Sequence, residues 1–248
     1  MYILSIGNSF SHDSQKYLHK IGESAGADIF CANLFIGGCS LKTHWENFTG
    51  DLPEYDYEIN GEFERKISIS EALRDKNWDV ITFQQASGDS GIYSTYEPYL
   101  SNLVNEVKKA VPSAKLYIHK TWAYDNGSAH PHFVRYGNNE KEMYRCICEA
   151  YSSASENTKL PIIPVGDVVQ YCRDNLNEFN LNAGGITLTR DTFHLSYLYG
   201  RYLAGLVWFK VLCGGDVNKV TFVPEKDGEY SRKELLEIIK KAVVEVVK

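Results

Sequence analysis

Short apolar runs alternate along this chain with stretches whose apolar residues recur every three or four positions. Residues 2–6 are an apolar run ending at Gly7, and residues 14–25 carry Tyr17, Leu18 and Ile21 at helical spacing. Together they read as strand, turn and helix. A second strand at 29–36 runs into Gly37 and Gly38, and a third at 80–83 leads into the polar stretch 84–88. Residues 116–119 and 162–165 supply a fourth and a fifth. Helical spacing marks 68–74, 96–110, 140–153 and 168–175, with Pro112 and Pro161 at exits into strands. Beyond the last strand, 197–212 reads as a long apolar helix stopped by Gly214 and Gly215, and 231–247 as an amphipathic one rich in Lys and Glu.

This alternation predicts an α/β fold: a three-layer α/β/α sandwich around a flavodoxin-like five-stranded parallel sheet of order 2-1-3-4-5. Ligands then gather at the C-terminal ends of the strands. A dip in hydrophobicity at 49–64 reads as an insertion over the sheet edge that helps wall a pocket. There is no internal repeat, low-complexity tract or proline-rich linker, so one domain over 1–248 is expected.

Charge and cysteine content narrow the partners. The net charge of −6 argues against a nucleic-acid partner, which would need clustered Lys and Arg. No apolar run approaches the roughly 18 residues of a spanning helix, and the N-terminus lacks the basic and apolar regions of a signal peptide. The six cysteines are dispersed without metal or redox spacing, and Cys146 and Cys148 point to different faces of a helix. The expectation is a cytoplasmic protein with reduced thiols, no membrane contact and no bound metal.

Two short motifs carry chemistry. Gly7-Asn8-Ser9-Phe10-Ser11 directly follows the first strand, so the Ser9 hydroxyl stands where the chain swings from sheet to helix. A nucleophile fits there; so does a serine that merely caps the helix. Near the other end, Asp191 precedes His194 by three residues, a spacing at which the carboxylate can accept from one imidazole nitrogen and leave the other free to deprotonate a serine. An isolated pair of this kind is more often a helix cap beside a structural histidine. The coincidence of the two motifs gives them weight.

In order and spacing these blocks, together with the glycine pair after the second strand and the polar amides after the third, resemble the SGNH/GDSL hydrolases over nearly the whole chain. Residues 190–202 and the run Phe83-Gln84-Gln85-Ala86-Ser87 are similar to an uncharacterised bacterial branch of that superfamily. The resemblance implies a serine esterase that needs no cofactor, with Ser9 as nucleophile and Asp191 and His194 as its supporting pair. It also implies oxyanion donors at Ser9, Gly38 and an amide side chain. The chain departs from the family pattern twice. It has Gly-Asn-Ser in place of Gly-Asp-Ser, and it offers Gln84 and Gln85 where the family has Gly-x-Asn-Asp. Neighbours on a strand point oppositely, so one glutamine is expected to face the pocket, with Gln85 preferred.

The implied substrate is a small O-acyl ester, with acetyl groups on carbohydrate the leading choice. The alternatives are a lysophospholipase or thioesterase acting on longer chains and a non-catalytic carbohydrate-binding module on the same fold. Trp122 and His130, after the fourth strand, and His44, shortly after Gly38, are candidate substrate contacts, because aromatic faces cover sugar C–H patches while imidazoles hydrogen-bond hydroxyls. Arg190 is read as an ion-pair partner that orients the histidine loop.

Overall fold

Residues 1–248 are described by a computed structural model. Its elements run β1 (Tyr2–Gly7), α1 (Ser9–Gln15), α2 (Leu18–Ser24), β2 (Phe30–Phe35), α3 (Leu41–Thr49), β3 (Tyr55–Ile59), β4 (Glu62–Ile67), α4 (Ile69–Asp75) and β5 (Val80–Phe83). They continue with α5 (Tyr99–Ala110), β6 (Lys115–His119), α6 (Glu140–Thr158), β7 (Ile162–Ile163), α7 (Val165–Asn175), α8 (Gly200–Cys213), β8 (Glu225–Lys226), β9 (Glu229–Tyr230) and α9 (Lys233–Val246). The apolar runs became strands because strands covered on both faces need near-continuous hydrophobicity. Accordingly β1 is buried from Ile3 onward and β5 throughout.

The main sheet has seven strands in the order β4-β3-β2-β1-β5-β6-β7. Its parallel part, β2-β1-β5-β6-β7, follows the expected 2-1-3-4-5 order. Two antiparallel strands, β3 and β4, extend it beyond β2 and correct the five-strand expectation. Residues 49–64, which read from sequence as an insertion, instead hold the end of α3, all of β3 and the start of β4. The hairpin signal is present: Tyr-Asp-Tyr-Glu-Ile alternates with period two, and Asn60-Gly61 forms a turn with positive φ at both residues. The low hydrophobicity that hides it suits an edge. In β4 the side chains from Glu62 to Lys66 are exposed, and charge on an edge strand discourages pairing with other chains.

Helices α1, α2, α7, α8 and α9 pack together on one face, and α3 to α6 lie on the other. Helix α8 is buried almost all round, as its uniform hydrophobicity requires. The helix expected over 14–25 begins earlier, at Ser9, and breaks at Lys16-Tyr17. No helix is long and apolar enough to cross a membrane, and all six cysteines are free thiols. Parallel register aligns Gly7 with Phe35, Ile6 with Phe83, and Phe83 with Ile118. The chain therefore leaves β1, β2, β5 and β6 at one edge of the sheet, carrying Asn8-Ser9, Gly38, Gln84 and Trp122 to a common place.

His44 on α3 and His119 at the end of β6 have no exposed surface, and burial pushes both imidazoles down to about 3. Below the ordinary value of 6.5 the unfolded chain binds protons that the folded one refuses, so stability falls as pH drops from 6.5 towards 3. The slope is about 1.4 kcal/mol per pH unit for each histidine. Urea unfolding followed across this window should show the contributions of both rings, and His44→Phe should lose about half of the slope, the His119 share remaining. A pH-independent midpoint would contradict the burial of these rings as neutral groups.

Candidate active site

Asn8 caps α1: it has extended backbone angles, and its side-chain Oδ1 accepts from the Phe10 N–H at 3.0 Å. Ser11, three residues on, completes a capping box by accepting from the Asn8 N–H at 3.0 Å. The cap is thus neither Ser9 nor Ser11 alone, and the Ser9 hydroxyl is left for another partner. Gly7 is required at the turn, since a Cβ there would lie 2.2 Å from the Ser11 Oγ.

That partner is His194. Ser9 Oγ lies 2.9 Å from His194 Nε2, and His194 Nδ1 lies 2.7 Å from Asp191 Oδ2. In a neutral imidazole the Nδ1–H donates to the carboxylate and Nε2 accepts from the serine hydroxyl. Asp191 also accepts the backbone N–H groups of His194 at 2.7 Å and Phe193 at 3.3 Å. Partial burial by itself raises the Asp191 pKa, and these hydrogen bonds more than offset it, holding the carboxyl below its usual range. Three residues from opposite ends of the chain therefore form one hydrogen-bonded series.

The histidine rides on a tight turn closed by a bridge between Thr189 and Leu195 and by Arg190 N–H to His194 O at 2.9 Å. Thr192 at its apex has φ of 74°, a costly conformation for a β-branched residue, so neighbours must hold it. They do so from two sides. Trp122 Nε1 donates to Phe193 O at 2.7 Å, and Asp125 N–H donates to Thr192 O at 2.8 Å. Asp125 is itself buried against Arg173, Thr187 and Thr189. From the helix that Ser9 begins, fully buried Asp13 accepts the Leu195 N–H at 2.9 Å and pairs with Arg190 at 2.9 Å and Arg201 at 2.8 Å. Arg190 thus orients the loop, as its sequence position suggests, though through Asp13 rather than adjacent Asp191. Sequence reasoning misses Asp13, because its arginine partners lie 177 and 188 positions away.

The loop after β2 is tied to the Ser9 turn by Asn8 Nδ2, which donates to Cys39 O at 3.0 Å. Gly38 in that loop is exposed with φ of 65°, a backbone state that favours glycine. After β5 the two glutamines part, correcting the preference for Gln85. Gln85 accepts from Leu41 N–H at 2.9 Å and Ala86 N–H at 2.8 Å and donates to Thr95, so its amide is consumed in joining α3 to the loop after β5. Gln84 is the one directed at the Ser9 turn, with Nε2 2.5 Å from Asn8 Oδ1.

Two candidate substrate contacts are corrected as well. Trp122 has no exposed surface and stacks on Phe10 with ring centres 4.2 Å apart, and His44 is buried against Tyr55 with its Nδ1 2.8 Å from the phenol oxygen. Both brace the site from behind. His130 is half-buried, with its ring edge-on to Phe193 at 5.0 Å, and so stands beside the histidine turn. Burial lowers its pKa first, with nearby His132, His194 and Arg135 adding to the shift. No group of three or more His, Cys, Asp or Glu side chains is arranged to hold a metal ion.

Removing one partner of a buried ion pair strands the other, at about 3–5 kcal/mol. Asp13→Asn, which leaves Arg190 and Arg201 without their carboxylate, should lower unfolding free energy by that amount in urea titrations. A loss below about 1 kcal/mol, as for an exposed pair, would contradict the clamp.

Residues 2–242 match the family described as Domain of unknown function (DUF4886). A DUF4886 family protein of known structure from Bacteroides uniformis is 34% identical with a TM-score of 0.89, covering 100% of this chain and 94% of that one. More distant in sequence is a protein from Slackia heliotrinireducens described as a candidate SGNH hydrolase, at 23% identity and TM-score 0.60, covering 86% of this chain and 98% of the other. A family 3 carbohydrate esterase from Clostridium thermocellum shares the fold at 15% identity and TM-score 0.53, with 86% and 96% covered. No curated protein matches the chain. The architecture is that of the SGNH/GDSL hydrolases, and the chain belongs to the DUF4886 family.

Proposed function

We propose that the protein is a serine esterase that removes short acyl groups, acetyl foremost, from carbohydrate or a similar hydroxylated carrier. One observation carries the reading: the unbroken series Ser9–His194–Asp191, at 2.9 Å and 2.7 Å, assembled from the two ends of the chain. His194 Nε2 takes the Ser9 proton as Oγ attacks the ester carbonyl, forming a C–O bond and moving the carbonyl π pair onto oxygen. The oxyanion is met by the N–H groups of Ser9 and Gly38 and by the second amide N–H of Gln84. Collapse breaks the bond to the alcohol, which leaves with the proton from His194. Water then repeats the sequence on acyl-Ser9, regenerating the hydroxyl and releasing the acid. Asp191 holds the imidazole in the required tautomer and stabilises its protonated form.

A long acyl chain needs an apolar groove for its methylenes beside the serine, whereas an acetyl group needs none, and chain-length preference distinguishes the two. The carbohydrate carrier is supported by the fold shared with the carbohydrate esterase and by half-exposed His130 beside the histidine turn.

Purified protein should hydrolyse p-nitrophenyl acetate faster than the octanoate. Ser9→Ala should reduce the rate to background, and Asp191→Asn should lower it by on the order of 10⁴. A preference for octanoate would favour a lysophospholipase or thioesterase. Hydrolysis unaffected by Ser9→Ala would end the serine mechanism.

A further inference from the structure

A chain of side-chain amides and one imidazole runs beneath the nucleophile turn, linking all four strand ends that carry the site. Asn8 Nδ2 donates to Cys39 O at 3.0 Å, and Gln84 Nε2 donates to Asn8 Oδ1 at 2.5 Å. Gln84 Oε1 lies 2.7 Å from His119 Nδ1, and His119 Nε2 lies 3.3 Å from Ser14 Oγ. Every member is at least 98% buried. Its direction is fixed at one end by the main chain: Asn8 must face its oxygen to the Phe10 N–H and its NH₂ to the Cys39 carbonyl. That orientation leaves an acceptor towards Gln84, which must answer with its NH₂ and turn its oxygen to His119. His119 must then carry its proton on Nδ1 and accept at Nε2 from the Ser14 hydroxyl. An aspartate at position 8 would leave the Cys39 carbonyl without its donor, which accounts for asparagine beside the nucleophile.

Gln84 has two orientations of nearly equal shape. Flipped, it would set its oxygen against Asn8 Oδ1 and present an acceptor where the developing oxyanion needs a donor. We propose that His119 is a positioning residue for the oxyanion site: its Nδ1–H holds the Gln84 amide with the NH₂ towards Asn8 and the reacting carbonyl. This rests on the esterase reading above. Burial keeps the imidazole neutral, so a single proton is available and its place is set by Gln84 and Ser14. The ring is seated edge-on against Trp208 at 5.1 Å, and so cannot swing away from Gln84 without disturbing α8.

The test is steady-state hydrolysis of p-nitrophenyl acetate by variants at positions 119 and 84, with unfolding midpoints measured alongside. Gln84→Ala should lower kcat on the order of a hundredfold. His119→Phe keeps a ring against Trp208 but removes the donor; kcat should fall roughly ten- to a hundredfold with KM nearly unchanged, because the contact matters only once charge develops. His119→Asn, whose amide N–H can replace Nδ1–H, should recover most of that loss, whereas His119→Gln, whose donor lies where Nε2 was, should not. The double variant Gln84→Ala/His119→Phe should be no slower than Gln84→Ala alone, since His119 acts through Gln84. Should the phenylalanine variant fail to fold, the Asn and Gln variants carry the comparison, and equal kcat values would overturn the proposal. So would a full kcat in His119→Phe, or losses that multiply in the double variant. Ser9-dependent hydrolysis with either of those results sinks this inference alone; no Ser9-dependent hydrolysis in the unsubstituted protein sinks the esterase reading with it.

Discussion

A single buried carboxylate joins the two halves of the candidate site. Asp13, one turn beyond Ser9, receives Arg190, Arg201 and the Leu195 N–H with no exposed surface of its own. A charge so placed is tolerable only with partners in good geometry, so the fold that buries Asp13 must also bring the histidine turn against α1. The 2.9 Å contact between Ser9 and His194 follows from that constraint. Trp122 and Asp125 then hold the strained apex at Thr192 from the far side, fixing the turn from two directions. Because these anchors lie in packed interior, the relation of Ser9, His194 and Asp191 is set by contacts of the fold itself.

The groups around Ser9 and His194 divide by burial. His44, His119 and Trp122 have the chemistry of ligand contacts, but each is enclosed and turned to partners within the protein. Of the three substrate contacts expected from the sequence, His130, beside Phe193, is the one with surface to offer. Both departures from the SGNH pattern fall on the same network. Asn8 and Gln84 are hydrogen-bonded to each other, so the two positions at which the chain departs from that pattern are neighbours.

The parallel sheet was legible because buried strands announce themselves as apolar runs, and the ends of those strands located the site. The hairpin was obscured by its own role as an edge: Glu62, Glu64, Arg65 and Lys66 on an exposed strand lower hydrophobicity, although Asn60-Gly61 marks the turn. Local motifs singled out Ser9, Asp191 and His194, whose side chains lie in one hydrogen-bonded series. What sequence could not supply was direction. Alternation along a strand does not extend past its end, so it misjudged which glutamine turns inward, and histidines near pocket-forming loops look alike until their depth is known. Asp13 lacks a local signal altogether, since its meaning lies in arginines 177 and 188 residues distant.

The central claim is that Ser9 is a nucleophile activated by His194. Incubation with a fluorophosphonate, followed by intact-mass and peptide analysis, addresses it without any assumption about substrate. One adduct per chain is expected, on the peptide containing Ser9, formed far more slowly in His194→Ala and absent from Ser9→Ala. An adduct on another residue, or labelling of Ser9 at an unchanged rate without His194, would contradict it.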